Sequence, residues 1–476
     1  MNKNGNTVIF TISSMLIVSL VIIVLLLTQK PYDLIGRLSN CWFHISICTL
    51  ICINVFIYNV SKEKDIFSPF VMTSALFFAI FFYAPLMCIT TNDLYAVGNV
   101  DVYDGCIKAT YIFLVSYLSF TFGYTLKRDF VFDKFINNNK YCIDSYKNNQ
   151  KSFEKVKIAS LMWIFCYFVT LIYDLSRGIS IFYILSYGTL GQVEYASSLD
   201  SSLAILGNFS YSLIILWLYI WHYTDNKILI ILIGYMTGAI YFTRGFRFIM
   251  MIMILSPIIY KYLLNDKRPK LINTVLSAYL LIVLAGMLEA SRGAIRNGQG
   301  GIVSGFSATE LFDRVFASDF TIFKQFYAMV IHIPKDYGYT FGQEMFLYTL
   351  IMIIPRGLWS GKPDFPYKTV LRISLNRQAV WAGQAWPIIG AFYFEFGVIG
   401  CILFMFILGY VFARIYKKLL KDNDNDIYKI GYSVFLPSIM QIICRGCIPQ
   451  QTYMLLFTFL PIIIIEKLKV RVNTSK

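Results

Sequence analysis

An all-α polytopic membrane protein with twelve spanning helices is the fold class that the sequence predicts, and three observations predict it. Of the 476 residues, 57% are hydrophobic and only 14% charged, where soluble domains carry about 25% charged residues. Apolar runs of about 20 residues, long enough to cross a bilayer as a helix, recur along the chain. Lys and Arg fall in short bursts between those runs. A water-soluble globular protein is thereby excluded. The net charge of +15 does not signal nucleic-acid binding, because the charges fall in short bursts between apolar runs.

Spans are predicted at 8–27, 41–60, 66–89, 107–126, 158–176, 202–221, 228–243, 247–264, 271–289, 387–413, 430–445 and 449–465. The first has no small-residue cleavage site, so it reads as a retained helix and not a removed signal peptide. The apolar run 228–264 is interrupted by Arg244 and Arg247, which predicts a tight helical hairpin with both arginines at the outer surface. With both termini cytoplasmic, inner loops hold 25 of the 42 basic residues in about 85 residues. The outer segments hold the other 17 in about 160, which satisfies the positive-inside rule.

Three regions follow: a nine-helix part (1–289), a long extracytoplasmic loop (290–386) and three C-terminal helices (387–476). Within the loop, Phe312, Phe316, Phe320, Phe323, Tyr327 and Val330 recur at steps of three and four, one apolar helical face. Segment 345–354 is apolar, half a span long, and ends at Pro355. Both are expected to lie on or dip into the outer leaflet as amphipathic elements, or simply to cap the bundle. The absence of an internal repeat gives an inverted-repeat transporter little support.

The basic residues are segregated. Of 27 Lys and 15 Arg, the inferred inner side takes 21 Lys and 4 Arg, and the outer side 6 Lys and 11 Arg. Guanidinium is a planar fork that grips phosphate or carboxylate bidentately. The outer arginines therefore serve outer carboxylates and lipid headgroups, or a phosphate-bearing substrate. Glu289, Arg292 and Arg296 share one face if the ninth helix continues to Asn297. Asp174 and Arg177 make a plain outer-end ion pair. Arg244 and Arg247 bracket Gly245; Lys362, Lys368, Arg372 and Arg377 face only Asp364; Arg445 ends the eleventh span.

Glu395 lies about nine residues into a helix starting at Pro387, roughly 12 Å below its outer end. An ionisable group at that depth is costly and marks a functional site. It is either neutralised by an arginine or, with a raised pKa, a general base. No GxxxxGK[ST], GxSxG or HExxH occurs. Residues Asp422 to Asp426 have DxD spacing, but in a linker of about 16 residues with no nucleotide-binding domain around it, which reads as a solvated charge run. Of ten cysteines, six lie in apolar runs as small hydrophobes; Cys444-Arg-Gly-Cys447 is a lone CxxC pair. Neither metal nor cofactor is expected.

Ile353-Ile-Pro-Arg-Gly-Leu-Trp-Ser-Gly-Lys-Pro363 resembles the PR-x-x-W-x-x-KP signature of bacterial oligosaccharide repeat-unit polymerases, the Wzy or O-antigen polymerase family. Tyr337-Gly-Tyr-Thr-Phe-Gly342 precedes it and is similar to that family's Tyr/Gly/Thr turn. Pro387-Ile-Ile-Gly390 and Phe396-Gly-Val-Ile-Gly400 follow and resemble its P-x-x-G…FG-x-x-G helix start. One departure is Ala391, where the resemblance leads one to expect Glu; Glu395 lies one turn further along the same face.

The resemblance implies a GT-C-like, metal-independent, inverting glycosyltransferase on the outer face of the bacterial inner membrane. It would move a growing glycan from one undecaprenyl diphosphate onto a second lipid-linked repeat unit of O-antigen or a similar surface polysaccharide. A chain-length regulator and a flippase of the same pathway are the implied protein partners. Glu395, Arg292 and Arg356 are the expected catalytic residues, with Glu395 activating the acceptor hydroxyl and His332 either a weaker alternative to it or simply a helix-end histidine. Arg244, Arg247, Arg296, Lys362, Arg372, Arg377, Arg445 and His332 are expected to bind diphosphate or glycan. An O-antigen ligase and a lipid-linked oligosaccharide flippase remain the alternatives.

Overall fold

The computed structural model describes residues 37–474 except 64, 97–98, 136–148, 177, 186–203, 245–246, 266, 271–272, 275, 278, 284–285, 288–306, 308, 312–314, 316–319, 355–357, 364, 376–384 and 422–424. In chain order its main helices are α1 (Arg37–Glu63), α2 (Pro69–Thr90), α3 (Tyr103–Phe135), α4 (Asn149–Ser176), α5 (Ile205–Tyr223), α6 (Lys227–Arg244) and α7 (Arg247–Leu264). The loop region contributes α8 (Ile322–His332), α9 (Gln343–Tyr348, a wide π turn) and α10 (Pro366–Ser374). Then come α11 (Ile388–Lys421), α12 (Asp426–Cys444) and α13 (Ile448–Thr474).

Nine helices among the described residues are long and apolar enough to cross a membrane: α1 to α6 and α11 to α13. The chain is a multi-pass, all-α membrane protein. With the shorter α7, these helices account for ten of the twelve predicted spans. The predicted span 8–27 lies outside the described residues, and 271–289 is described only in part. Helix α6 ends at Arg244 and α7 starts at Arg247, so the run 228–264 does divide where the arginines interrupt it.

The most extensive helix pairing among the described residues is that of α3 with α11. A Cβ on Gly123 would sit 2.1 Å from the Phe406 carbonyl oxygen, and one on Gly409 2.1 Å from that of Phe120. Lipid tails are as apolar as the side chains, so membrane helices associate through such close backbone packing. Phe70, Phe120, Tyr124 and Phe412 close the gaps on either side.

One expectation is corrected here. Helix α8 does not lie on the leaflet surface. Phe320, Phe323, Tyr327 and Val330 are buried as one face, but Ile322, Lys324, Gln325, Phe326, Ala328 and Met329 are buried too. The helix is wedged against α3, where a Cβ on Gly105 would meet the Tyr327 carbonyl at 2.2 Å. Its polar side is covered because Lys324 Nζ reaches Asp93 Oδ2 at 2.8 Å, just ahead of a two-stranded hairpin (Tyr95–Ala96 with Val100–Asp101). Phe312 and Phe316 lie outside the described residues. In segment 345–354, Phe346, Leu347, Leu350 and Ile353 are each at least half exposed.

Polar contacts staple the opposite end of the bundle. Asp65 accepts from Arg268 at 2.8 Å and from the Tyr416 hydroxyl at 2.6 Å. His222 contacts Tyr260 through Nδ1 and Asp426 through Nε2. The Asn425 side chain accepts from the N–H groups of Ile427 and Tyr428, capping α12. The end of the Asp422–Asp426 run thus starts a helix, an N-cap role that suits Asn.

Candidate active site

Helix α11 is broken once, and the break builds the site. Phe396 (φ −136°, ψ 15°) and Gly397 (φ 65°, ψ −152°) are not helical. That second conformation belongs almost entirely to glycine. The break frees two carbonyls: Phe394 accepts from the Thr340 N–H and Glu395 from the Phe341 N–H, both at 3.0 Å. The Tyr337–Gly342 turn docks on them, with Phe341 and Gly342 at positive φ and the Tyr339 ring against Gly397. Two of the three resembling motifs are therefore halves of one joint.

The Glu395 carboxylate completes that joint. It is fully buried and accepts from the backbone N–H groups of Gly342, of Glu344 at 2.8 Å and of Met345 at 3.0 Å. These are N–H groups that the first turn of α9 leaves without an intrahelical partner, and a helix start favours an anion. Both carboxylate oxygens are occupied by the chain itself, a geometry that holds the start of α9.

By that docking, Glu344 is driven into the interior. It is fully buried, and among the described residues its carboxyl oxygens have no hydrogen-bond partner. Burial, and then the Glu395 carboxylate beside it, hold its pKa well above the ordinary carboxylate range; the nearby N–H groups of Tyr367 and Ile448 pull the other way. Those two N–H groups belong to the first turns of α10 and α13. Cys447 is the next neighbour, its thiol pushed up by burial and by Glu344.

The adjoining turn, Arg445 to Cys447, joins α12 to α13. Gly446 donates its N–H to the Trp386 carbonyl at 2.7 Å, and Gln451 Nε2 donates to the Arg445 carbonyl at 3.2 Å. Trp386 Nε1 and Gln451 Oε1 are buried without a hydrogen-bond partner among the described residues. A buried polar atom left so costs about 1–3 kcal/mol. Three such side chains meet at this turn, in a region otherwise packed by Tyr367, Trp386 and Phe394. The half-exposed Arg445 guanidinium stands 4.9 Å from the Phe248 ring and acts electrostatically on Tyr367. Among the described residues no group of three or more His, Cys, Asp or Glu is arranged to hold a metal ion.

The predicted site residues fare differently. Arg244 is not at a surface. It is 2% exposed, pairs with Asp174 at 3.1 Å, and donates to the Gly207 carbonyl and Ser210 hydroxyl at 2.6 Å each. Asp174 thus takes its partner from α6; Arg177 lies outside the described residues. Lys362 is also turned inward, donating to the Ile354 and Met352 carbonyls at 3.0 and 3.3 Å. His332 contacts Asp336 one turn on, and Arg372 is exposed on α10. Arg292, Arg296, Arg356, Arg377 and the Arg247 side chain lie outside the described residues. Sequence reasoning passed over Glu344, although it is the sole acid between Tyr337 and Pro363 and heads an apolar half-span.

The family model for the O-antigen polysaccharide polymerase Wzy matches residues 8–472, nearly the whole chain. No curated protein and no solved structure matches it.

Proposed function

The chain belongs to the Wzy family of O-antigen polysaccharide polymerases, and we propose that it joins repeat units carried on undecaprenyl diphosphate, at the outer face of the cytoplasmic membrane, by an inverting transfer that needs no metal. What carries the reading is one observation: a buried polar cluster, Glu344 with Trp386 and Gln451, stands at the bundle end to which the charge pattern assigns 11 of the 15 arginines. Lipid-linked glycans and membrane lipids are the substrates and surroundings that family membership implies; a chain-length regulator and a flippase are proposed as partners.

In this reading the acceptor sugar hydroxyl attacks the anomeric carbon of the growing glycan. The bond from that carbon to the diphosphate oxygen breaks with its electron pair, and a single displacement inverts the anomeric centre. Charge develops on the leaving diphosphate, where preorganised guanidinium groups act most strongly. Arg292 and Arg356 are proposed for that task, with Arg296, Arg377, Arg372, Arg247 and Arg445 along the diphosphate and glycan path. Arg244 and Lys362 keep the scaffold in shape, and Glu395 positions α9.

Purified protein supplied with one defined lipid-linked repeat unit in EDTA tests this. The new linkage should have the anomeric configuration opposite to that of the lipid-linked sugar, and Arg292→Lys and Arg356→Lys should lose most of the polymer. Retained configuration, or wild-type polymer from both variants, would refute the inverting, arginine-assisted mechanism.

A further inference from the structure

Resting on the transfer reading above, we propose that the Arg445–Cys447 turn is where the acceptor hydroxyl binds, and that Glu344 takes its proton, directly or across one bridging water. The observations are independent of the family motifs. Glu344, Trp386 Nε1 and Gln451 Oε1 are buried around this turn with hydrogen-bonding capacity unspent among the described residues. One is a carboxyl, one a donor and one an acceptor, a set that matches a polyol and not an apolar ligand. The first turns of α10 and α13 contribute the Tyr367 and Ile448 N–H groups next to the carboxyl. Arg445 adds a fixed positive charge on the same turn, suited to the departing diphosphate. Both Glu395 carboxylate oxygens are already taken up by three backbone N–H groups.

The step balances as follows. The hydroxyl proton moves to the Glu344 carboxylate while its oxygen bonds to the anomeric carbon. The bond from that carbon to the diphosphate breaks, its electron pair leaving on the diphosphate oxygen. Glu344 then returns the proton to water. The titratable groups in electrostatic contact with Glu344 are Glu395 from α11, Tyr367 from α10 and Cys447 from the turn before α13, and Arg445 of the same turn acts on Tyr367. Burial and the Glu395 charge favour its protonated form, so turnover should rise with pH through an inflection above the usual carboxylate range. A general base with a pKa near the working pH is the efficient arrangement.

The test compares Glu344→Gln, Glu344→Asp and wild type by three readouts: repeat-unit transfer against pH, binding of the labelled lipid-linked donor, and the protonated-carboxyl band in the infrared spectrum. Removal of a general base costs about 10²- to 10⁴-fold in rate. Glu344→Gln should lose that much, lose the pH limb and the infrared band, and still bind donor. Glu344→Asp should move the inflection, which keeps the test decisive if the Gln variant fails to fold. Wild-type transfer and pH profile in Glu344→Gln, or an unmoved inflection in Glu344→Asp, would overturn the proposal alone. Absence of any transfer by wild type would overturn the transfer reading with it.

Discussion

Replacing Glu395 by Gln changes one oxygen to an NH2 group, and the structure says where the damage falls. One carboxylate oxygen accepts from the Glu344 and Met345 N–H groups, at 2.8 and 3.0 Å; the other accepts from Gly342. The amide oxygen can keep the first two at neutral strength, which forfeits about 1–2 kcal/mol of charge assistance. The amide nitrogen then faces the Gly342 N–H, donor against donor, and a buried donor left unpaired costs about 1–3 kcal/mol. The joint between the Tyr337–Gly342 turn and the α11 break should therefore weaken by about 3 kcal/mol. At 1.4 kcal/mol per tenfold, local opening becomes about 10²-fold more frequent. Hydrogen exchange of the Gly342, Glu344 and Met345 amides in lipid nanodiscs reads this directly, with the α3 and α11 amides as internal reference. Wild-type exchange at those three amides would refute the anchoring role, whatever happened to activity.

The other predictions follow from single contacts. Asp174→Asn strands a 2%-exposed Arg244 and should destabilise by about 3–5 kcal/mol, with part recovered on adding Arg244→Met; thermal unfolding in detergent checks both, and no recovery in the double variant would argue against the pair. Gly397→Ala forces an L side chain into φ 65° with its Cβ 2.9 Å from the Tyr339 ring, so about 1–3 kcal/mol of strain should appear as a lower Tm. Because folding raises the Glu344 pKa, the folded chain holds that proton more tightly than the unfolded chain. Its contribution is complete at acid pH and is lost as pH rises through the folded pKa. The Tm of wild type should therefore fall relative to Glu344→Gln as the medium is made more alkaline; parallel curves would contradict the burial argument. Arg292→Lys and Arg356→Lys should keep expression and lose most polymer, since Lys keeps the charge but not the fork.

What could be read in the sequence was local. The spans follow from runs of side chains that each meet lipid or protein, so hydropathy located them, and the Arg244/Arg247 interruption marked a true boundary between helices. The rest depended on partners far along the chain. Helix α8 looked amphipathic because its Phe, Tyr and Val residues recur at steps of three and four, yet Lys324 on its other side is satisfied by Asp93, 231 residues away in sequence. Asp174 looked paired with its neighbour, but its partner is Arg244, 70 residues on. Depth alone singled out Glu395. Its occupation by N–H groups some 50 residues upstream is invisible to composition, because backbone amides belong to every residue. Glu344 was hidden for a related reason: its burial follows from the docking of α9, not from its own apolar surroundings in sequence.

The most direct measurement of the central claim uses wild-type protein in proteoliposomes with a single pure substrate, one repeat unit on undecaprenyl diphosphate, and separates the products by size. A ladder in whole repeat-unit steps, growing with time and released from lipid only by acid, is the predicted result. A product distribution confined to the starting unit, from protein that binds this substrate, would contradict it.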